Sequence, residues 1–170
     1  MKDLTGLEYL GKIYINKGLW DKAYMSFKKY LTWINENNLT QDNLSEIYYL
    51  CGNCAAKINK FTEARDWYTK SIELFSDIKS YFALGLLYEK LGLYVQEEEI
   101  LSKLLKLVKK DVRNKIEISS IYEHLAFALF NRKEEVKALG YLAIAAVQFP
   151  DTSFLDKIQF CEKYWRESDN

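Results

Sequence analysis

Proline occurs once in this 170-residue chain, as Pro150, and histidine once, as His124. A chain that hardly uses the residue that breaks helices is free to build long ones. With a single imidazole, a four-ligand zinc site would have to be assembled from distant elements, and any Ser-His-Asp triad would have to use His124, for which no nucleophile elbow is present. The seven glycines are scattered and form no phosphate-cradling loop. Cysteine is sparse and odd in number, three in all, which fits a reducing compartment rather than a disulfide framework. Charge of neither sign prevails: 24 Lys and Arg balance 24 Asp and Glu, and splitting the chain after Gly85 gives 11 basic against 10 acidic, then 13 against 14. No basic field marks a nucleic-acid binder. The longest apolar run, residues 138–147, is ten residues, half of the ~20 that span a bilayer, so direct membrane insertion is not expected. The start carries Asp3 where a signal peptide is basic and then apolar, and a cytoplasmic location is the expectation.

What the chain does have is a recurring pair of small residues. Gly11, Gly52, Gly85 and Ala126 are each followed twelve residues later by Ala23, Ala64, Glu97 and Ala138. Seven of these eight places hold Gly or Ala, although the two types fill only 18 of 170 positions, so chance would supply fewer than one. Large residues recur around them: Leu7, Tyr48, Tyr81 and Tyr122 four before the first small place, Phe27, Tyr68, Leu101 and Leu142 four after the second. Two helices approach closely only where one presents no side chain, so the pattern specifies a helix-turn-helix unit in tandem.

Counting each repeat from seven before its first small residue gives starts at 4, 45, 78 and 119, spaced 41, 33 and 41. The ordinary period of such hairpins is about 34, and an excess of seven residues is about two helical turns, which lengthens a helix without turning its inner face. Long helices are therefore expected near 20–37 and 112–131. Asn43 with Glu46, Asn114 with Glu117, and Ser153 with Asp156 have cap-box spacing at three helix starts. After Pro150, the residues Phe154, Ile158, Cys161 and Trp165 form one apolar stripe, with Asp156, Lys157, Glu162, Lys163 and Arg166 on the other faces. Such a helix closes an open end of a repeat stack.

These motifs resemble the tetratricopeptide repeat, whose pattern runs large residue, Leu-Gly, Tyr, Ala, Phe, Pro. Repeat one supplies Leu7, Leu10, Gly11, Tyr14, Ala23 and Phe27; repeat two supplies Tyr48, Cys51, Gly52, Ala55, Ala64 and Tyr68. Repeat three reads Tyr81, Leu84, Gly85, Tyr88, Glu97, Leu101, and repeat four Tyr122, Leu125, Ala126, Leu129, Ala138, Leu142, Pro150. The resemblance implies an all-α, right-handed superhelix of the α-solenoid type with about nine helices. It would be a single domain over 1–170, with repeats near 4–37, 45–77, 78–111 and 119–152 and a capping helix at 153–168. It further implies a concave surface, lined by the first helix of each repeat, that holds an extended peptide or a partner helix.

Candidates for chemistry are few. Cys51 and Cys54 have the Cys-x-x-Cys spacing of redox and metal sites, but Cys51 occupies a place that is Leu in the other three repeats, in mid-helix, so both read as buried small hydrophobes. Glu97, Glu98 and Glu99, followed by Lys103, Lys106, Lys109 and Lys110, put acids at a helix start and bases at its end, complementing the helix dipole. Glu97 sits in a small-residue place, and because burying a lone carboxylate is costly, that helix pair is expected to splay or rotate and leave Glu97 partly wet. No catalytic residue, metal ligand or cofactor is assigned.

The functional expectation is a non-catalytic interaction module, an adaptor, assembly subunit or chaperone, taking an apolar peptide or helix in its groove. Its site residues are Tyr9, Lys12, Tyr49, Leu50, Asn53, Lys79, Phe82, Leu86 and Phe127. The carboxylate clamp of chaperone-binding adaptors resembling this family needs Lys then Asn, Asn, and Lys then Arg. Here Glu8 and Lys12, Leu50, and Lys79 and Ala83 stand at those places, and only Lys79 matches. The competing reading is a scaffold that works through its outer faces or by self-association as a homo-oligomer, its groove filled by its own end helix.

Overall fold

The computed structural model describes residues 5–37, 39, 42–108, 115–149 and 152–168, and every regular element among them is an α-helix. In chain order these are α1 (Thr5–Asn16), α2 (Trp20–Glu36), α3 (Leu44–Lys57), α4 (Phe61–Leu74), α5 (Ile78–Lys90), α6 (Tyr94–Val108), α7 (Lys115–Asn131), α8 (Glu135–Gln148) and α9 (Thr152–Ser168). Both helices expected to be long are so, α2 and α7 having 17 residues each. Residues 109–114, with the cap-box position Asn114, lie outside the described residues. The chain divides into two compact units, Met1–Leu87 and Tyr88–Asn170, with the boundary inside α5.

Each of the four helical hairpins turns in the same way. The residue seven after the first small place takes a left-handed conformation: Gly18 at φ 69°, Asn59 at 61°, Gly92 at 67° and Lys133 at 60°. The next amide then donates back to the carbonyl five residues earlier, Leu19 to Tyr14, Lys60 to Ala55, Leu93 to Tyr88 and Glu134 to Leu129, at 2.8 to 2.9 Å. That bond, with the shorter one inside it, is the Schellman closure of a helix end. It fixes where the second helix of each hairpin starts, and so which of its residues faces inward.

In the first unit the small residues admit rings. A Cβ on Gly11 would stand 2.5 Å from Phe27, and one on Gly52 would stand 2.6 Å from Tyr68. Ala23, Phe27, Leu31 and Ile34 of α2, Ile47, Cys51 and Ala55 of α3, and Ala64 of α4 form the buried core. Three hydroxyls tie α3, α4 and α5 together. Ser71 donates to the Ser45 carbonyl at 2.7 Å, Ser45 donates to the Ser71 carbonyl at 3.0 Å, and the Ser80 hydroxyl lies 2.8 Å from that of Ser71. Ser71 and Ser80 have no exposure, so these bonds satisfy groups that water does not reach.

In the second unit α7 lies between α6 and α8, and α9 packs on α8. Leu101, Leu104 and Val108 of α6, Ile121, Leu125, Ala128 and Leu129 of α7, and Ala138, Leu142 and Ala145 of α8 are buried. The α9 stripe is buried as expected at Phe154, Cys161 and Trp165 and half-buried at Ile158.

Three local expectations are corrected. Asn43 does stand at the N-cap of α3, but its side chain makes no capping bond and instead donates to Glu8 Oε1 at 2.9 Å, so a tertiary contact displaces the cap box. The last helix begins at Thr152, which puts Ser153 inside it rather than at its cap. Off its stripe α9 is not wholly charged: Leu155, Phe160 and Tyr164 are each more than half exposed.

Candidate functional site

In the first unit a cleft of about 820 Å³ is formed where the start of α3, the end of α4 and the start of α5 converge. Tyr49, Leu50, Leu74 and Phe75 supply its apolar lining, and Lys79, Glu46, Asp42 and Asp77 its charges. Phe75 projects because the chain leaves α4 in an extended conformation there, φ −151° and ψ 124°, and it is 68% exposed. Of the site residues read from the sequence, the structure brings Tyr49, Leu50 and Lys79 together on this cleft. Leu74 and Phe75 were missed; the available signal was an adjacent pair of large apolar residues immediately before the Ser76-Asp77 link.

The other expected residues stand apart from it. Tyr9 is 65% exposed on α1. Lys12 is bound to Glu8 at 2.8 Å, which holds its ammonium above the usual lysine range, and Glu8 in turn receives Asn43. Asn53 accepts a 2.7 Å hydrogen bond from the Tyr68 hydroxyl, so its carbonyl orients the fold's own ring. Phe82 is half-buried and Leu86 exposed on α5, and Phe127 belongs to the second unit.

Phe127 lines a cavity of about 270 Å³ in the second unit, together with Glu89, His124, Phe130, Phe160 and Lys157. Most of its wall comes from α7 and α9, and Phe130 packs against Tyr164 and Trp165 at ring separations of 5.1 and 5.2 Å. At its inner end His124 Nδ1 lies 2.6 Å from Glu89 Oε2. Behind them is Glu97. Contrary to the expectation of a partly wet side chain, it is fully buried, and among the described residues neither carboxylate oxygen has a hydrogen-bond partner. The physical reason is register: the Tyr88–Leu93 turn bond sets α6 as in the other repeats, and Glu97 donates its own amide to Leu93 at 3.0 Å, so the small-residue place faces inward whatever occupies it. The chemistry yields instead of the helix. Burial, and after it the charge of Glu89, push the Glu97 carboxyl up to about 8.

The cysteines are settled as core. Cys51 and Cys54 are free and have no exposure, and burial raises both thiols, Cys54 to about 12, so neither is a thiolate near neutral pH. Among the described residues no helix is long and apolar enough to cross a membrane.

The repeated turn, the repeated small-residue contact and the all-helical hairpins define an α-solenoid class of repeat protein. The tetratricopeptide repeat model matches residues 45–77 and 78–110, so the hairpins α3–α4 and α5–α6 carry the tetratricopeptide repeat. Its fold is shared with MamA from Desulfovibrio magneticus RS-1 at TM-score 0.76 and 15% identity, covering 99% of this chain and 88% of that one. YrrB matches at TM-score 0.72 and 16% identity, covering 96% and 78%. The TPR2AB domain of yeast Sti1 matches at TM-score 0.65 and 19% identity, covering 76% and 50%. No protein of curated function matches the sequence significantly.

Proposed function

We propose that this chain is a non-catalytic protein-interaction module that holds an apolar segment of a partner in the cleft of its first unit, serving as an adaptor, assembly subunit or chaperone. The observation that carries the reading is the convergence of Tyr49, Leu50, Leu74 and Phe75 on one concave surface, with Lys79 at its edge. Large side chains around a cleft offer pockets for anchoring residues, and exposed neighbouring apolar groups gain when a partner covers them. Tetratricopeptide repeats are interaction modules, which supports the reading. So do the descriptions of two similar structures: YrrB as a protein with an unusual peptide-binding site, and the Sti1 domain as a complex with pHSP90. An acidic C-terminal peptide is not the favoured ligand, because Lys12 is engaged with Glu8 and Leu50 and Ala83 replace donors of the clamp. The test is to select a binder from a displayed peptide library and to measure it against Leu50→Ala and Phe75→Ala. Full affinity in both variants, with loss from changes on other faces, would move function to the scaffold reading.

A further inference from the structure

In the second unit three consecutive helices each bring one metal-ligating side chain to the same point. Glu89 comes from the last turn of α5, Glu97 from the first turn of α6 and His124 from the middle of α7, and one ligand atom of each lies within 4.8 Å of the others. The α5–α6 turn fixes the first two, since Gly92 donates to the Glu89 carbonyl at 2.9 Å and Glu97 to that of Leu93. Glu97 is the independent sign of a missing partner: a fully buried carboxyl aimed into the cluster with both oxygens unsatisfied among the described residues. A proton would neutralise Glu97 alone and bring no positive charge to offset Glu89 beside it. A cation bonds a Glu97 oxygen, neutralises the carboxylate and offsets the Glu89 charge together.

We infer that Glu89, Glu97 and His124 bind one divalent first-row transition-metal ion of the zinc type. Two carboxylates and one imidazole are a hard-to-borderline donor set that suits such an ion, and two negative charges match its two positive ones. Tetrahedral bonds of about 2.1 Å place ligand atoms about 3.4 Å apart, a contraction that rotations of the two glutamates supply. The ion would enter through the adjoining cavity, on which Glu89 and His124 open, and water would complete its coordination from that side.

The experiment uses the full chain stripped with chelator and then titrated with zinc chloride alone, followed by calorimetry and thermal melting. Wild type is expected to bind one zinc per chain and to melt higher with it. Glu97→Ala restores the residue present at Ala23, Ala64 and Ala138, so the metal-free variant should melt at or above wild type, lose the zinc-induced rise and bind at least tenfold more weakly. His124→Gln should weaken binding likewise, and the cobalt-substituted protein should show no thiolate charge-transfer band. Failure of wild type to bind at millimolar zinc, unchanged affinity in either variant, or a thiolate band assigning the ion to cysteine would each overturn the site.

Discussion

Gly52 lies directly beneath the ring of Tyr68: a Cβ there would stand 2.6 Å from two of its ring carbons. The same relation, sixteen residues apart, holds between Gly11 and Phe27. Tyr68 has little room to retreat, because its hydroxyl is bound to Asn53 at 2.7 Å and its ring packs against Tyr49 at 6.2 Å. Gly52→Ala should therefore cost about 1 to 3 kcal/mol by overpacking, despite the better helix propensity of alanine. Gly140, within α8, has nothing within 4 Å of its virtual Cβ, and Gly140→Ala should stabilise by about 0.5 to 1 kcal/mol. Urea midpoints of the two variants check this; equal shifts of one sign would show that packing does not distinguish the sites.

Lys133 does the work of glycine without being one. Its φ of 60° costs an L-residue about 1 kcal/mol, and the matching places in two other hairpins are Gly18 and Gly92. Lys133→Gly should raise stability by several tenths of a kcal/mol, the relief of strain being partly offset by the greater freedom of glycine in the unfolded chain. Gly92→Ala should lower it by about 1 kcal/mol. A destabilised Lys133→Gly variant would mean that the lysine side chain contributes more than its backbone strain costs.

Glu63 makes the acid limb of stability testable. The Tyr24 hydroxyl first, then Lys28 and Lys60, hold its carboxyl down to about 2 from an ordinary 4.5. Between those values the unfolded chain binds more protons than the folded one, so the contribution of Glu63 is complete above about pH 4.5 and is lost as pH falls through about 2. Its side chain is 37% exposed, and solvent screening keeps that contribution small. Denaturant titrations of wild type and Glu63→Gln should show wild type ahead at neutral pH and the two converging in acid. A gap that does not change with pH would detach stability from this ionisation.

The tandem hairpins were legible because close packing dictates residue size: a ring lying on a backbone demands Gly beneath it, and the demand recurs with the repeat. The turn was legible in part. Gly18, Asn59 and Gly92 are left-handed formers at one spacing, but Lys133 breaks the series, so the position did not stand out. Phe75 was hidden because its exposure depends on the extended link after α4, a tertiary matter. Glu97 was misjudged because the cost of burying charge was assigned to helix displacement, whereas the turn bonds hold the helix and burial instead pushes the carboxyl up to about 8. Glu89, Glu97 and His124 stand 8 and 27 residues apart, spacings that match no ligand motif, and only the turn before α6 and the packing of α6 on α7 unite them.

Binding in the first-unit cleft should depend on apolar contact more than on charge. The chain has no net charge to steer a partner from afar, and the cleft mixes Lys79 with Glu46, Asp42 and Asp77, whose fields oppose one another. Leu50 and Phe75 line its apolar part, and neither belongs to the buried core, so truncating them removes ligand contact without emptying the fold. With a selected peptide, Leu50→Ala and Phe75→Ala should each weaken affinity by roughly 1 to 3 kcal/mol while leaving the melting midpoint close to wild type. Lys79→Ala should cost less than either, and raising salt from low to physiological strength should change affinity little, since rim charges are screened within about 8 Å. Fluorescence anisotropy across that series checks the claim. A steep salt dependence with Lys79→Ala dominant would make the ligand acidic, and the apolar anchor at Leu50 and Phe75 would then be the wrong account of the cleft.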